Sequence, residues 1–496
     1  MPGGSRTTID LEPGELVDHA SRLLAERHRL ALVSAHHDDP GTIRLVHLFV
    51  KGPPDTRTEL HVRLDARAPA VPTLAHLSFP AGRFERELRD LHGVVPLDHP
   101  LPHRLVRHPH WPRGWYPMRP DAGQPPEFGV PEGPFPFLTV EGPGVYEIPV
   151  GPVHAGMIEP GHFRFSVVGE TILKLKARLW YVHKGIEKLF EGRCPEQGLG
   201  LAERISGDTA VGHALAYCLA VEEATGMQAP PRAGRARALL LELERLHNHV
   251  TDLGALCNDV GHGILNAHAW RIRERLLRLN HTLTGHRLLR GGIVPGGAAL
   301  RALPDPAELA SVRTDLRSLI SLALEHPTIR DRFTGTAILP LRAARDLGCL
   351  GYVARASGLP TDARHAHPHH ALGDLLTTRV LDTGDVLARF TIRAQEAQDA
   401  LDLATHLAET LTPGPAIDPT PRAPARHCGV GLAEGWRGTI TTRVELAPDG
   451  TLTRVKVADP SFFNWPALPV ALTDTIVPDF PLTNKSFNLS YSGNDL

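Results

Sequence analysis

The 496-residue chain has no Cys-x-x-Cys pair, and no apolar run reaches the roughly 18 residues that cross a bilayer. Its five cysteines, Cys194, Cys218, Cys257, Cys349 and Cys428, are scattered. An odd count at wide spacing argues against a disulfide framework and for a reducing compartment. Cys218 and Cys257 fall in Ala- and Leu-rich helical patterns, where a free thiol packs as a small hydrophobe. A basic excess is missing too: 53 Lys and Arg face 55 Asp and Glu, which argues against a nucleic-acid surface. Lysine itself is scarce, with seven residues. No GxGxxG fingerprint follows a strand pattern. The N-terminal "MPGGSRTTIDLEPGE" lacks a basic patch followed by an apolar core, so no secretory signal is expected. What remains is an ordinary soluble balance, 22% charged and 42% hydrophobic, long enough for two or three domains. A membrane, if one is involved, would be met through partners.

Residues 13–27 have a helical period. "RLALVSAHH", "GTIRLVHLFVKG" and "TELHVRLD" then read as a small sheet, and 82–94 as a charged helix ending at Gly93. Residues 1–119 are therefore expected to form a small α/β domain. Pro120, Pro125, Pro126, Pro131, Pro134, Pro136, Pro143 and Pro149 make 120–150 an extended linker, which few contacts are expected to cross. The remainder, 151–496, opens with a hairpin turning at Gly169-Glu170. Helical patterns follow at about 200–225, 235–258, 262–290, 306–325 and 384–411, and a second hairpin turns at Asp449-Gly450. The fold class is α+β: a small α/β domain, then a mainly helical domain with peripheral β hairpins.

Three stretches stand in order: "GPVHAGMIEPGHFRF" (151–165), "RLWYVHKGIEKLFEGR" (178–193) and "ERISGDTAVGHALAYCLAVE" (203–222). "DLGALCNDVGH" (252–262), "GYVARASGLPTDAR" (351–364) and "ADPSFFNWPALPVAL" (458–472) follow. Together they resemble the large subunit of the membrane-bound, formate hydrogenlyase type [NiFe]-hydrogenases and the homologous D polypeptide of respiratory complex I, an NADH-quinone oxidoreductase. Residues 84–119 resemble the end of the complex I C polypeptide, in the order of the fused C/D form. Hydrogenases of this family hold nickel with two Cys-x-x-Cys pairs. Here the first pair maps onto Ser206 and Thr209. The second, read from Asp459-Pro460, maps onto Ser461 and Asn464. Hydroxyls and an amide cannot replace the soft thiolates that nickel and iron require, so the resemblance implies a hydrogenase frame without its metal. An active [NiFe]-hydrogenase is thereby disfavoured.

In complex I the corresponding cavity receives a quinone headgroup, contacted by a Tyr whose position here is Gly207. The segment that carries its His reads "IEPGH", the hydrogenase form, with Glu159 and His162. The resemblance implies a protonic role for Glu159 beside the vacated cavity. It gives Asp259 as an internal partner, with His162 as its candidate mate, and Arg355 as a cavity cation. Each has a plainer reading: a solvated loop carboxylate, a hydrogen-bonded Asp, a surface ion pair. His183 and His213 read as packing histidines. "RHAHPHH" (364–370) lies in a loop without an i,i+4 His pair and reads as an adventitious metal binder. The family implies no cofactor on this chain, iron–sulfur clusters on partner subunits, and a quinone as an open possibility. The implied partners are an iron–sulfur small subunit, a ferredoxin-like subunit and antiporter-like membrane subunits. The implied place is peripheral, on the cytoplasmic side of the membrane. A silent scaffold protein within such a complex is the alternative of a different class.

Overall fold

The computed structural model describes residues 4–131, 133, 135–154, 158–370, 372–411, 414, 416–421 and 425–496. Pro134 of the proline-rich stretch and residues 155–157 of the 151–165 motif lie outside the described residues.

The first part is built on three antiparallel strands, Arg29–Asp39, Thr42–Lys51 and Thr56–Asp65, with Ser5–Leu11 added parallel to the last. The apolar strands are buried through most of their length. The helix Leu16–Ala25 buries Leu16 and Ala20. The helix Phe79–His92 has Pro80 in its first turn and stops at Gly93, whose φ of +77° gives the left-handed C-cap.

The second part opens with the antiparallel sheet Val145–Val150, His162–Val168 and Thr171–Arg178, turning at Gly169 with φ +60°. The long helices Ala210–Thr225, Pro231–Asp259, Gly263–Thr284, Pro306–Glu325 and Val386–Thr410 follow, as the periodicity predicts. The chain then returns as the sheet Cys428–Gly435, Gly438–Leu446 and Leu452–Ala458, which lies against the Ala210–Thr225 helix. Gly429 and Gly431 permit this approach. A Cβ on Gly431 would come within 1.9 Å of Ala216 O, and one on Gly429 within 2.1 Å of Ala220 O. Short helices Pro460–Asn464, Ala467–Ala471 and Phe480–Phe487 lead to a buried end segment, Ser490–Leu496. In "RHAHPHH", a short helix Ala363–Ala366 takes up the first residues, and His367 pairs with Asp55 at 2.6 Å.

The expectation that few contacts join the two parts is overturned. One hydrophobic core runs from Leu11 and Phe84 to Phe462 and Tyr491. Phe84 stacks on Phe462 with ring centroids 4.5 Å apart. The first sheet also meets the last one through buried ion pairs. Arg443 grips Glu59 with two bonds (2.8 and 3.0 Å), and Arg44 reaches Glu445 at 2.7 Å. Lys456 lies between Glu87 (2.5 Å) and Glu187 (3.1 Å). Proline content describes the covalent connection and says nothing about the surfaces on either side of it.

Candidate functional site

The four positions onto which the sequence maps the thiolates lie at or just before two helix starts. Thr209 immediately precedes the Ala210–Thr225 helix. The free N–H groups of Val211 and Gly212 donate to Glu244 at 2.6 and 2.9 Å. Burial pushes the Glu244 carboxyl up to about 8, against the pull of those two donors. At the other start, Asp459 caps the Pro460–Asn464 helix by accepting from Ser461 N at 2.7 Å, with Pro460 in the first turn.

Ser206 and Thr209 are each 2% exposed, and Ser461 and Asn464 are fully buried. The hydroxyls of Ser206 and Thr209 both donate to Asp208 Oδ1, at 3.0 and 2.9 Å. Arg437 clamps the same carboxylate through Nη1 and Nη2, at 2.6 and 2.7 Å. Trp436 Nε1 donates to Thr209 at 3.1 Å, and the Arg437 guanidinium lies 3.9 Å from the Trp436 ring centroid. Asp208 is partly desolvated, yet Arg437 and the two hydroxyls hold its carboxyl well below the usual range. On the other side, Asn464 binds Leu350 through both N–H (2.9 Å) and C=O (3.1 Å). Ser461 Oγ accepts from Ser490 N at 3.0 Å, and His213 Nε2 meets Asp459 at 2.9 Å. Ser490 Oγ bridges to Ser206 Oγ at 2.8 Å, so the end segment ties the two sides together. Gly493 is required beside them, because a Cβ there would lie 2.7 Å from the Asp459 carboxyl.

These donors do not fit a nickel–iron centre: all four are hard, neutral groups already bonded within the chain. Gly207 is the open point: it is exposed, with nothing within 4 Å of where a Cβ would be.

The expected site residues are not brought together as the sequence suggested. Glu159 is exposed rather than buried, and accepts from Ser492 N at 3.0 Å. His162 bonds Gly151 O (3.1 Å) and Arg164 (3.3 Å). Asp259 is exposed at the last turn of its helix, with no bond to His162. The buried carboxylate of that motif is Asp252, seven residues earlier. It pairs with Arg393 at 3.2 Å and accepts from Asn488 at 2.6 Å. Burial lifts the Asp252 carboxyl above its ordinary range, with Arg393 opposing. Arg355 is buried and paired with Glu396 (2.7 Å) and Glu434 (2.8 Å), so it is neither a surface ion pair nor a free cavity cation. His213, read as a packing residue, is the partner of Asp459. Asp208 and Arg437 escape a reading of the sequence because they lie 229 positions apart.

The fold defines a class: a small α+β domain joined to a mainly helical domain with hairpins at its two ends, the two tied together around Ser206, Thr209, Ser461 and Asn464. Three family models match in the fused order. These are the 30 Kd subunit of respiratory-chain NADH dehydrogenase over residues 9–127, nickel-dependent hydrogenase over 184–257, and the 49 Kd subunit of NADH dehydrogenase over 259–427. Formate hydrogenlyase subunit 5 of Escherichia coli is 33% identical over 448 residues, covering 88% of this chain and 79% of that protein. The C/D component of the NADH-quinone oxidoreductase of Phocaeicola vulgatus is 27% identical over 434 residues, covering 81% and 83%. In structure, the membrane-bound sulfane sulfur reductase, an archaeal respiratory membrane complex, has a chain with TM-score 0.66 and 24% identity, covering 71% of this chain and 99% of that one; this likeness speaks for the fold alone. The chain belongs to the family of membrane-bound hydrogenase large subunits and their complex I counterparts. Among the described residues, no helix is long and apolar enough to cross a membrane.

Proposed function

We propose that this chain is a metal-free coupling subunit, peripheral to the membrane on its cytoplasmic side. It senses electrons arriving on an iron–sulfur small subunit and a ferredoxin-like subunit, and passes a charge change toward antiporter-like membrane subunits. The observation that carries this reading is one connected polar network, half-open to solvent at Asp208 and buried at Arg437, Asp252 and Arg393. It runs from Ser206 and Thr209 through Asp208 to Arg437, from Arg437 Nε to Asn488 O (2.5 Å), and from Asn488 Nδ2 to Asp252 and Arg393. A charge arriving near Gly207 acts on Asp208–Arg437 and, through it, on a carboxyl whose proton affinity burial has raised. The acceptor site, for a quinone or another small carbonyl compound, is then shared with the iron–sulfur subunit at the open surface around Gly207 and Glu159.

The complex should contain no stoichiometric nickel by plasma mass spectrometry; one nickel per chain would overturn the metal-free reading. Asp252→Asn should lower turnover of the assembled complex about tenfold or more at saturating donor, as loss of a proton-transfer group does, with assembly unchanged. Wild-type turnover in that variant would favour the second reading, a scaffold. That reading draws on the complete internal bonding of Ser206, Thr209, Ser461 and Asn464.

A further inference from the structure

A cleft outside the coupling network has no role in it. The last turn of the Phe79–His92 helix carries Arg89, and the following loop is pinned to that helix by Asp90. Asp90 Oδ2 accepts from the backbone N–H of Leu105 (2.8 Å), Val106 (2.8 Å) and Arg107 (3.1 Å). This carries Arg104 and Arg107 to the same place, where they line an open cleft of about 660 Å³ with Trp111, Tyr116 and Phe135. Their protein partners are carbonyl oxygens: Pro102 for Arg89, His108 and Trp111 (both 3.2 Å) for Arg104, Pro112 (3.3 Å) and Trp115 (2.5 Å) for Arg107. Carbonyls orient a guanidinium without neutralising it. The lining carboxylates are Asp90 and Glu127. Asp90 reaches Arg107 Nε only at 4.0 Å. Arg107 is 5% exposed, and its Nε has no hydrogen-bond partner among the described residues. Beside the arginines, the proline-rich segment that borders the cleft turns Phe128 (51% exposed) and Val130 (90%) to solvent.

We infer that this cleft docks an acidic, extended segment of a partner polypeptide. Its carboxylates would take the guanidiniums of Arg89 and Arg104, and its apolar side chains would cover Phe128 and Val130. Charge-assisted Arg–carboxylate bonds are strong and directional, and Arg and Trp together are the residue types that dominate interface energetics. The apolar neighbours decide between occupants: a small free anion would satisfy the arginines and leave Phe128 and Val130 in water.

The test uses the full chain and fluorescence anisotropy with a labelled peptide of alternating glutamate and phenylalanine, beside its lysine–phenylalanine counterpart. The acidic peptide should bind more tightly than the basic one and weaken as salt rises. R89E/R104E should weaken it about tenfold or more, in line with the loss of a close charge pair. R342E, whose side chain is 93% exposed and lies outside the cleft, should leave binding unchanged. If circular dichroism shows R89E/R104E unfolded, R89E alone decides, because Arg89 is exposed. Equal binding of the two peptides, or no effect of R89E, would overturn the inference. So would displacement of the acidic peptide by inorganic pyrophosphate at equal charge, which would assign the cleft to a small anion.

Discussion

Ser206 and Thr209 answer to a charge, whereas Ser461 and Asn464 answer to the backbone. The first two hydroxyls point at Asp208, whose side chain is 40% exposed and clamped by the buried Arg437. The second two are sealed: Asn464 satisfies both backbone groups of Leu350, and Ser461 accepts from Ser490 N. Bonds to neutral backbone fix a geometry whatever the local field. Bonds to a half-open ion pair change strength when the field changes. The difference puts sensitivity on the Ser206–Thr209 side and rigidity on the Ser461–Asn464 side.

Substitutions on the rigid side should therefore cost most in stability. Asp459→Ala removes the buried partner of His213 and the cap of the Pro460–Asn464 helix. Urea unfolding at pH 7 should show a loss of about 3–5 kcal/mol. Burial alone would raise the Asp459 carboxyl, but His213, Arg437 and the Ser461 N–H outweigh it and hold it below its usual value. A depressed folded-state value stabilises above the unfolded-state value of about 4 and stops doing so as pH falls through the folded one. The gap between wild type and variant should accordingly close in acid; a gap that widens there would contradict the assignment.

Asn464→Leu should follow, at about 2–4 kcal/mol, because it strands a buried N–H and a buried C=O of Leu350. Asp208→Asn should cost least, about 1–2 kcal/mol, since solvent reaches the carboxylate and Arg437 keeps its stacking on Trp436. If Asp208→Asn proved the most destabilising of the three, the contrast between a sensitive and a rigid side would fail.

The helices and both hairpins were legible because each is local: a period, a turn pair. The Asp459-Pro460 start is a cap that sequence can announce. The partners of these residues were not legible. Asp208 finds Arg437, His213 finds Asp459, and Ser206 finds Ser490 across long stretches of chain, and periodicity carries no information about which distant charge will arrive. Asp252 and Asp259 show the finer failure. Both sit in one helical motif, and only the rotation of the helix against Arg393 decides that the first is buried and the second exposed.

The ion pairs between the first part and the last sheet bear on how this molecule is put together. Arg443–Glu59, Arg44–Glu445 and Lys456–Glu87 mate two halves that match the family models of two different subunits, the 30 Kd and the 49 Kd. A tether only raises the effective concentration of one half near the other, to about the millimolar range for a short flexible link. Once the surfaces have mated, the tether is dispensable. Cutting the chain within 120–150 should leave two fragments that still co-elute as a single particle on gel filtration and separate only in denaturant. Fusion then acts on assembly, guaranteeing equal numbers of the two halves and sparing them a search for each other, while the mated surfaces alone hold them together afterwards.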